Sequence, residues 1–292
     1  MNLRDLVANS LRTELTWCEA HRAAPFQSGW RLDPFLVLII PLDTAYTLKV
    51  EPSGEAIKTY RAQPGELLIA PPGIRHAFEA DTCTIRGINV KYSVFGGIDL
   101  ISFYTLPNLL TGEIATQARE VIESLVGISG RRSTLYPVPQ SNQEMELDLS
   151  SIVAERCLLL QLLKLILAYS RPNPRGGTRL SDLSRVQPAL GIIHDRLLDE
   201  VPVDFLSNAC GLSERRFRTV FKQAVGRAPH QYRLGKRIEL AMKMLMTPEL
   251  SVTEIANQLR FHDLSHFTKT FKRECGLSPQ FYRMDLKRKI GR

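Results

Sequence analysis

The last third of the chain repeats itself at a fixed offset, and this repeat constrains the fold more than any other feature. Seven residues recur 50 positions later as the identical residue, namely Phe217, Phe221, Lys222, Gly226, Pro229, Tyr232 and Arg233, which match Phe267, Phe271, Lys272, Gly276, Pro279, Tyr282 and Arg283. Upstream of them the offset falls to 49, so Val203 matches Val252. Duplicated units bury their apolar faces against neighbours. We therefore predict two copies of a helix, a short turn and a second helix.

Each copy has the residue pattern of a helix-turn-helix. Gly211 permits a tight turn in the first copy, and Ser213 is a suitable N-cap for the helix that follows, as is Asp263 in the second copy. Apolar residues at helical spacing predict a buried face on each second helix. These residues are Phe217, Val220, Phe221 and Ala224 in the first copy and Phe267, Thr270 and Phe271 in the second.

The opposite faces of the same helices are basic and rich in hydrogen-bonding groups. They carry Arg215, Arg218, Thr219 and Lys222 in the first copy and Ser265, Thr268, Lys269 and Lys272 in the second. A helix with one buried aromatic face and one such face suits the major groove of DNA. We therefore predict that these eight residues contact DNA.

Charge is distributed unevenly along the chain. Residues 181–292 hold 20 Lys and Arg against 12 Asp and Glu, whereas residues 1–180 hold 18 of each, so the whole net charge of +8 lies in the repeated region. Such clustering is typical of a protein that binds a polyanion. A basic surface that only aids solubility is the alternative. The coincidence with paired helix-turn-helix patterns favours DNA.

The run from Val203 to Arg283 resembles the DNA-binding domain of the AraC/XylS family of transcriptional regulators. The segments that carry the resemblance are FKQAVGRAPHQYR, KRIELAMKML, LSVTEIANQL and SHFTKTFKRECGLSPQFYR. The resemblance implies two units joined by one helix, here residues 229–246, with double-stranded DNA as partner and RNA polymerase as well in an activator. That helix would span about 25 Å, which suits reading helices in successive major-groove turns, about 34 Å apart.

Two positions depart from the family pattern. Ser207 stands where the family usually has Ala, and Arg260 stands where it usually has Gly. We expect either a different backbone at the second turn or an Arg260 side chain that reaches a phosphate.

The N-terminal part is predicted to contain short strands followed by helices. Apolar or alternating runs bounded by Gly and Pro cover residues 35–40, 46–50, 56–61, 65–70 and 83–90, which suggests a small barrel or sandwich. Helical spacing covers residues 113–126 and 152–169. The segment Arg171–Gly177 holds two Pro and two Gly and is predicted to be an irregular interdomain linker.

One motif in this region is specific. Gly65, Pro71, Gly73 and His76 have the spacing G-x5-P-x-G-x2-H of the second cupin motif, and so resemble the sensing domain of AraC-type regulators. Metal-binding cupins add an earlier His-x-His and a Glu, but His21 is the only histidine before Gly65. Because a metal site needs three or four protein ligands, we predict no metal and no cofactor.

The candidate ligand-binding residues are Trp30, Arg31 and His76, which offer stacking and hydrogen bonds to a small polar molecule. Sugars are the expectation that the family gives. For the tryptophans, Trp17 and Trp30, a place in the barrel core is the alternative. The helix that contains Leu158–Leu167 is apolar nearly all round, so it must be buried on several sides. It either packs on the barrel or forms a dimer seam, and the family resemblance favours a homodimer.

These patterns predict an α+β protein of two domains: a cupin-like β-barrel (about 1–106) with appended helices (107–170), a linker (171–180), and an all-α double helix-turn-helix domain (181–292). No run reaches about 20 apolar residues, no signal core opens the chain, and five cysteines form no paired motif. We expect a cytoplasmic, nucleoid-associated protein without a membrane partner.

The expected function is sequence-specific transcription regulation, without enzymatic activity, in response to a small-molecule effector bound in the barrel. Two alternatives stay open. One is a metal-dependent cupin enzyme fused to a DNA-binding module, and the other is a DNA-binding dimer that senses nothing.

Overall fold

The computed structural model describes residues 8–23, 25–52, 54–95, 97–129, 149–174, 176–245, 247 and 249–289. Their N-terminal part is built of strands, and their C-terminal part is helical. The strands are β1 Arg12–Ala23, β2 Phe26–Gln27, β3 Leu36–Pro41, β4 Tyr46–Glu51, β5 Lys58–Ala62, β6 Leu67–Ala70, β7 Arg75–Ala80, β8 Cys83–Val94, β9 Ile98–Asp99, β10 Tyr104–Thr105, β11 Leu109–Leu110 and β12 Arg171–Pro172.

The helices follow in two groups. Two pack on the sheets, and seven form the C-terminal part. They are α1 Glu113–Ser129, α2 Leu149–Ala168, α3 Gly176–Asp195, α4 Val203–Ala209, α5 Glu214–Val225, α6 Pro229–Met244, α7 Val252–Gln258, α8 Leu264–Cys275 and α9 Pro279–Lys289. A short 3-10 helix spans Leu100–Phe103. None of the helices in the described ranges is both long and apolar enough to cross a bilayer.

Two antiparallel sheets face each other in the N-terminal domain. One has the order β1-β8-β3-β6-β11, with β9 also paired to β8, and the other has the order β2-β7-β4-β5. β3 is central: Leu38 lies opposite Ile88 on β8 and Ile69 on β6, and all six of its residues are buried. Both faces of the larger sheet are therefore covered, one by the smaller sheet and the other by α1 and α2.

This arrangement confirms the predicted α+β fold of two domains. The predicted barrel takes the form of two packed sheets rather than a closed ring of hydrogen-bonded strands in the described residues. The five predicted strand runs overlap β3, β4, β5, β6 and β8, whereas β1 and β7 were not predicted.

The leucine-rich helix α2 packs on the sheet along one side only. Leu159, Leu162 and Ile166 are buried there, and the Tyr92 hydroxyl donates to the Leu159 carbonyl at 2.7 Å. Leu160 remains 44% exposed. Within the described chain this helix is buried along one side, and a dimer seam on its exposed side stays a prediction.

The predicted linker is more regular than expected. Arg171 and Pro172 pair with β10, and the Asn173 N–H donates to the Phe103 carbonyl at 2.7 Å. Pro is tolerated here because β12 is a two-residue edge strand. α3 begins at Gly176, inside the range predicted as linker, because its later apolar residues pack on the first helix-turn-helix unit. These residues are Leu183, Val186, Ala189, Leu190 and Ile193.

The sheet domain packs against both repeated units. Val94, Phe95 and Phe103 join the apolar cluster of the first unit. Trp17 of β1 joins that of the second unit, which also includes Ile238 of α6. Trp17 is thus a domain-interface residue rather than part of the inner core of the sheets.

Candidate functional site

The first candidate reading helix, α5, is positioned by a short helix and a tight turn. α4 ends at Ala209, and the turn passes through Gly211, whose φ of 63° is left-handed. The Ser213 hydroxyl accepts a hydrogen bond from the Arg216 N–H and caps α5, and Gly226 ends the helix with a φ of 83°. The predicted turn and N-cap are confirmed.

α5 is strongly amphipathic because its aromatic residues recur at helical spacing. Phe217 and Phe221 are fully buried with ring centroids 5.4 Å apart, and Phe221 meets Tyr232 of α6 edge-on at 5.8 Å. The opposite face is exposed and holds all four residues predicted to contact DNA: Arg215, Arg218, Thr219 and Lys222. Arg218 pairs with Glu214 at 3.4 Å. An exposed pair within one helix is weak, so the guanidinium can exchange it for another acceptor.

The second unit repeats this construction. Ser251 and Glu254 form a capping box at the start of α7, and Asp263 accepts a hydrogen bond from the His266 N–H to cap α8. Phe267 and Phe271 are fully buried. On the opposite face, Ser265, Lys269 and Lys272 are exposed and Thr268 is half-buried. The bond from His266 holds the pKa of the Asp263 carboxyl below its usual range.

Arg260 keeps the left-handed turn without the help of glycine. Its φ of 54° is close to the 63° of Gly211 in the first unit, so the backbone does not differ as one expectation allowed. The Arg260 guanidinium lies 3.3 Å from Asp199, in the segment before α4. Arginine in place of the glycine usual in the family therefore adds an exposed contact between the two units.

The repeated arginines of α6 and α9 serve the fold. Arg233 donates to the Asp199 carbonyl at 2.6 Å. Arg283 donates to the carbonyls of Leu245 and Leu250 at 3.0 and 2.6 Å. Each arginine thus holds the segment that precedes the short first helix of its own unit, α4 or α7. This shared structural role explains why both copies have arginine at this position.

Two of the three predicted ligand-binding residues lie in a buried ionic cluster between the domains. Arg31 donates to Asp285 of α9 at 2.5 Å and lies 3.3 Å from Asp33. His76 contacts Asp33 through Nε2 at 3.2 Å and the Ile74 carbonyl through Nδ1 at 2.9 Å. Burial alone would lower the pKa of Arg31, but the carboxylates of Asp33 and Asp285 raise it, so the guanidinium stays charged. Both side chains thus hold protein partners.

The third residue, Trp30, is half-buried beside the same contact. The Arg75 guanidinium lies 5.3 Å from its ring centroid, and the Leu32 N–H donates to the Cys275 carbonyl at 2.8 Å. A Cβ added at Gly276 would lie 3.0 Å from the Trp30 carbonyl oxygen, so the loop rests against the end of α8. Within the described ranges no three His, Cys, Asp or Glu side chains are grouped to hold a metal ion.

A cavity of about 600 Å³ opens between the edge of the larger sheet and helices α2, α3 and α6. Its lining holds five cationic side chains, Arg12, Lys91, Arg156, Lys236 and Lys243, and two acidic ones, Glu14 and Glu239. A smaller cavity of about 290 Å³ adjoins it and shares Lys91, Gly97, Lys236 and Glu239. Neither cavity is lined by Trp30, Arg31 or His76.

Glu239 joins the two domains at the boundary between these cavities. It accepts hydrogen bonds from Lys91 of β8 and from Lys236 of α6, and Lys236 also donates to the Gly97 carbonyl at 2.7 Å. Burial would raise the pKa of Glu239, but the two ammonium groups lower it to about 2. Lys243 pairs with Glu14. Arg12 and Arg156 have no acidic partner among the described residues.

Sequence reasoning missed the acidic residues that connect the parts. Asp285 stands where the first copy has Gly235, and Glu274 stands where it has Ala224. Each of these charges is present in one copy of the repeat only, but this signal is not specific, because reading-face positions such as Arg218 and Thr268 differ in the same way.

Comparisons with known proteins agree with this construction. Residues 206–285 match the family model described as a helix-turn-helix domain. The HTH-type transcriptional activator RhaS of Escherichia coli O1:K1 / APEC is 33% identical over 138 residues, which cover 47% of this chain and 48% of RhaS. The chain therefore spans about half the length of the curated relatives that it matches.

The whole chain also resembles a solved structure. ToxT from Vibrio cholerae O395 aligns over 95% of this chain and 98% of ToxT, with 11% identity and a TM-score of 0.51. ToxT from strain SCE256, solved with an unsaturated fatty acid bound, aligns over 94% of this chain and 95% of that one, with 12% identity and a TM-score of 0.51. At these identities the likeness concerns the fold alone.

Proposed function

We propose that the chain is a sequence-specific transcriptional regulator of the AraC/XylS type whose N-terminal domain senses a small molecule. Its C-terminal domain matches a helix-turn-helix family model and is similar to the transcriptional activator RhaS. One observation carries the DNA-binding half of this proposal. α5 and α8 bury paired aromatic rings on one side and present basic and hydroxyl groups on the other. A helix in the major groove needs just this division.

The base-reading residues are those of the two exposed faces. Arginine and lysine recognise guanine, and serine and threonine accept or donate to several bases. The first unit contributes Arg215, Arg218, Thr219 and Lys222, and the second contributes Ser265, Thr268, Lys269 and Lys272. The lysines nearest the helix ends, Lys222 and Lys272, fit contacts to phosphates, which hold the register of the protein on the duplex.

Mapping of the binding sites across the genome of the source organism tests this function. We expect the sites that the protein occupies to lie upstream of transcription units. They should share a motif of two base-specific blocks about one helical turn apart. Occupied sites with no common motif would contradict it.

The effector site that the geometry supports best is the larger cavity between the domains. Arg12 and Arg156 lie on its wall, and neither forms an ion pair with another described residue, so the field of the cavity favours a molecule with at least one anionic group. This differs from the polar, sugar-like ligand first expected at Trp30, Arg31 and His76. A fatty acid, as bound by ToxT, is one anionic candidate. A compound that binds the folded state raises its melting temperature by mass action.

A thermal-shift screen of carboxylates, phosphate esters and sugars tests the effector proposal. Anionic compounds should stabilise the wild type and lose that effect in Arg12→Gln and Arg156→Gln. If only neutral sugars stabilise the protein, and do so equally in both variants, the result would contradict the anionic site and favour the sugar-like ligand expected at Trp30, Arg31 and His76.

The exposed side of α2 supports a homodimer. Leu149, Val153 and Leu160 lie on the same side of this helix and are 66, 60 and 44% exposed, and an exposed patch of apolar side chains is typical of a protein interface. Val153→Glu should lower the sedimentation coefficient of the full chain from that of a dimer to that of a monomer. Its relative RhaS is named a transcriptional activator. If this protein also activates transcription, RNA polymerase is a further partner.

The function that we propose is regulatory and includes no enzymatic activity. His76 is occupied by Asp33 and Ile74, so a metal-dependent cupin enzyme would need other ligands. Metal analysis of the purified protein tests this point, and a stoichiometric transition metal would favour the enzyme.

A further inference from the structure

Besides the exposed Arg260–Asp199 pair, a second and less exposed ion pair joins the two helix-turn-helix units. Glu274, at the end of α8, accepts a hydrogen bond from Arg227 at 2.6 Å. Arg227 lies in the turn between α5 and α6, so the bond connects the end of one candidate reading helix to the turn that follows the other. The Glu274 side chain is 15% exposed, and its second oxygen accepts from Arg273 at 3.1 Å. The carboxylate is therefore held from two sides.

The connecting helix makes room for this pair. Gly235 lies on α6, where glycine is a poor helix former. A Cβ at this position would lie 3.0 Å from Nη1 of Arg227 and 3.6 Å from Oε2 of Glu274. The pair thus crosses α6 at a residue with no side chain, and an added Cβ would press on the Arg227 guanidinium, which would have to shift by a few tenths of an ångström.

Comparison of the two copies of the repeat indicates that this ion pair is not required to fold either unit. A contact required to fold one unit is expected in both copies, as the paired phenylalanines and Arg233 with Arg283 illustrate. At the three positions of the pair the copies differ. Glu274 corresponds to Ala224, which is fully buried, Arg227 corresponds to Leu277, and Gly235 corresponds to Asp285. The Arg227–Glu274 pair therefore occurs once and links the two units, rather than recurring within each copy.

We propose that the Arg227–Glu274 pair, lying across Gly235, fixes the angle between α5 and α8 and thereby selects the spacing between the two half-sites in DNA. This inference rests on the proposed DNA-binding function. One added base pair moves a half-site by about 3.4 Å along the duplex and turns it by about 35°. Two rigidly joined reading helices reject such a shift, whereas loosely joined ones tolerate it.

Binding of the full chain to a spacer series tests the proposal. The series keeps the two half-sites selected by the wild type and varies the spacer between them by single base pairs. The wild type should prefer one spacer. Glu274→Gln, which keeps the side-chain shape and removes the charge, should lower the ratio of affinities between the best spacer and its neighbours by about five-fold, the equivalent of about 1 kcal/mol for an ion pair.

A second variant guards against loss of folding. Gly235→Ala adds the Cβ that crowds the pair, while alanine strengthens α6 as a helix. It should widen the spacer tolerance in the same direction and keep or raise the melting temperature. Glu79→Gln is the matched control, because it removes a bond of the same length, 2.6 Å, to Lys49 within the smaller sheet. Its spacer preference should equal that of the wild type.

The outcomes separate cleanly. Unchanged spacer preference in both Glu274→Gln and Gly235→Ala would overturn the proposal, and so would a uniform loss of affinity at every spacer, since that indicates a purely structural pair. A wild type that selects no pair of half-sites at all would overturn the proposed function together with this inference.

Discussion

Arg260 combines a strained left-handed backbone conformation with an ion pair to Asp199. A non-glycine residue in the left-handed region costs about 1–2 kcal/mol, whereas its ion pair with Asp199 is 64% exposed on the Arg260 side and contributes at most about 1 kcal/mol. We therefore expect Arg260→Gly to raise the free energy of unfolding by about 1 kcal/mol. Chemical denaturation measures it. Arg260→Ala is the control, since it loses the pair and keeps the positive φ. An alanine variant as stable as the glycine variant would contradict this account.

The buried rings of the reading helices make a second prediction at this scale. Phe221 and Phe271 are fully buried, and removal of a buried ring costs about 3–5 kcal/mol. Phe221→Ala and Phe271→Ala should each melt well below the wild type and bind DNA poorly through loss of one folded unit. If either variant has the wild-type melting curve, that ring contributes no core packing.

Among the elements, local patterns predicted those whose residues alternate or recur clearly. α5 and α8 follow from their phenylalanine spacing, and β4 from the alternation in Tyr46–Glu51. The sequence did not reveal β1, because charged residues such as Glu14 and Arg22 interrupt its apolar ones. α3 was missed because Gly176, Gly177 and Pro188 lie inside it, and tertiary packing overrides these weak local preferences.

The 3-10 helix after β9 gives a pH-dependent prediction. Its N-cap is Asp99, whose pKa burial raises to about 6, against the bond from the Ile101 N–H and the charges of Lys91 and Lys236. The folded state thus keeps the proton to a higher pH than the unfolded chain does. This contribution to stability is complete below about pH 4 and is lost as the pH rises through about 6.

Asp99→Asn removes this titration and keeps an oxygen for the Ile101 N–H. Because Asp99 is only half-buried, we expect the variant to be more stable than the wild type by about 1–2 kcal/mol at pH 8. The difference should vanish near pH 4. Denaturation at several pH values tests this, and a difference independent of pH would show that burial of the charge is not the cause.

At the scale of the whole molecule, the interface between the domains is what local sequence patterns could not provide. Arg31 and His76 were predicted as ligand residues from their chemistry, yet their partners Asp33 and Asp285 come from segments far apart in sequence. Trp17 likewise packs on the second unit. Arg31, Asp33 and His76 meet within the sheet domain, where Arg31 and His76 form a β-bridge, and the packing of the second unit then adds Asp285 and covers Trp17.

The division of the chain predicts the behaviour of a fragment. Residues 176–292 contain all of α3, whose apolar face completes the first unit, and they carry the excess of basic residues. The fragment should fold, remain monomeric and bind DNA more weakly than the full chain, which we propose to be a dimer. Its log K should fall by about 0.9 per neutralised phosphate for each decade of salt. A fragment from residue 181, which truncates α3, should be less stable by circular dichroism. Equal stability of the two fragments would contradict the assignment of α3.

The most direct test of the whole account is selection of full-length protein on a randomised DNA library, with Arg218→Ala, Lys269→Ala and Arg216→Ala in parallel. We expect two blocks of base preference about 10 base pairs apart. Arg218→Ala should relax one block and Lys269→Ala the other, each at a cost of about 1–3 kcal/mol for the preferred base. Arg216→Ala, beside the proposed reading face of α5, should keep both blocks. A single block, or the same two blocks unrelaxed in Arg218→Ala and Lys269→Ala, would contradict the assignment of α5 and α8 as the reading helices.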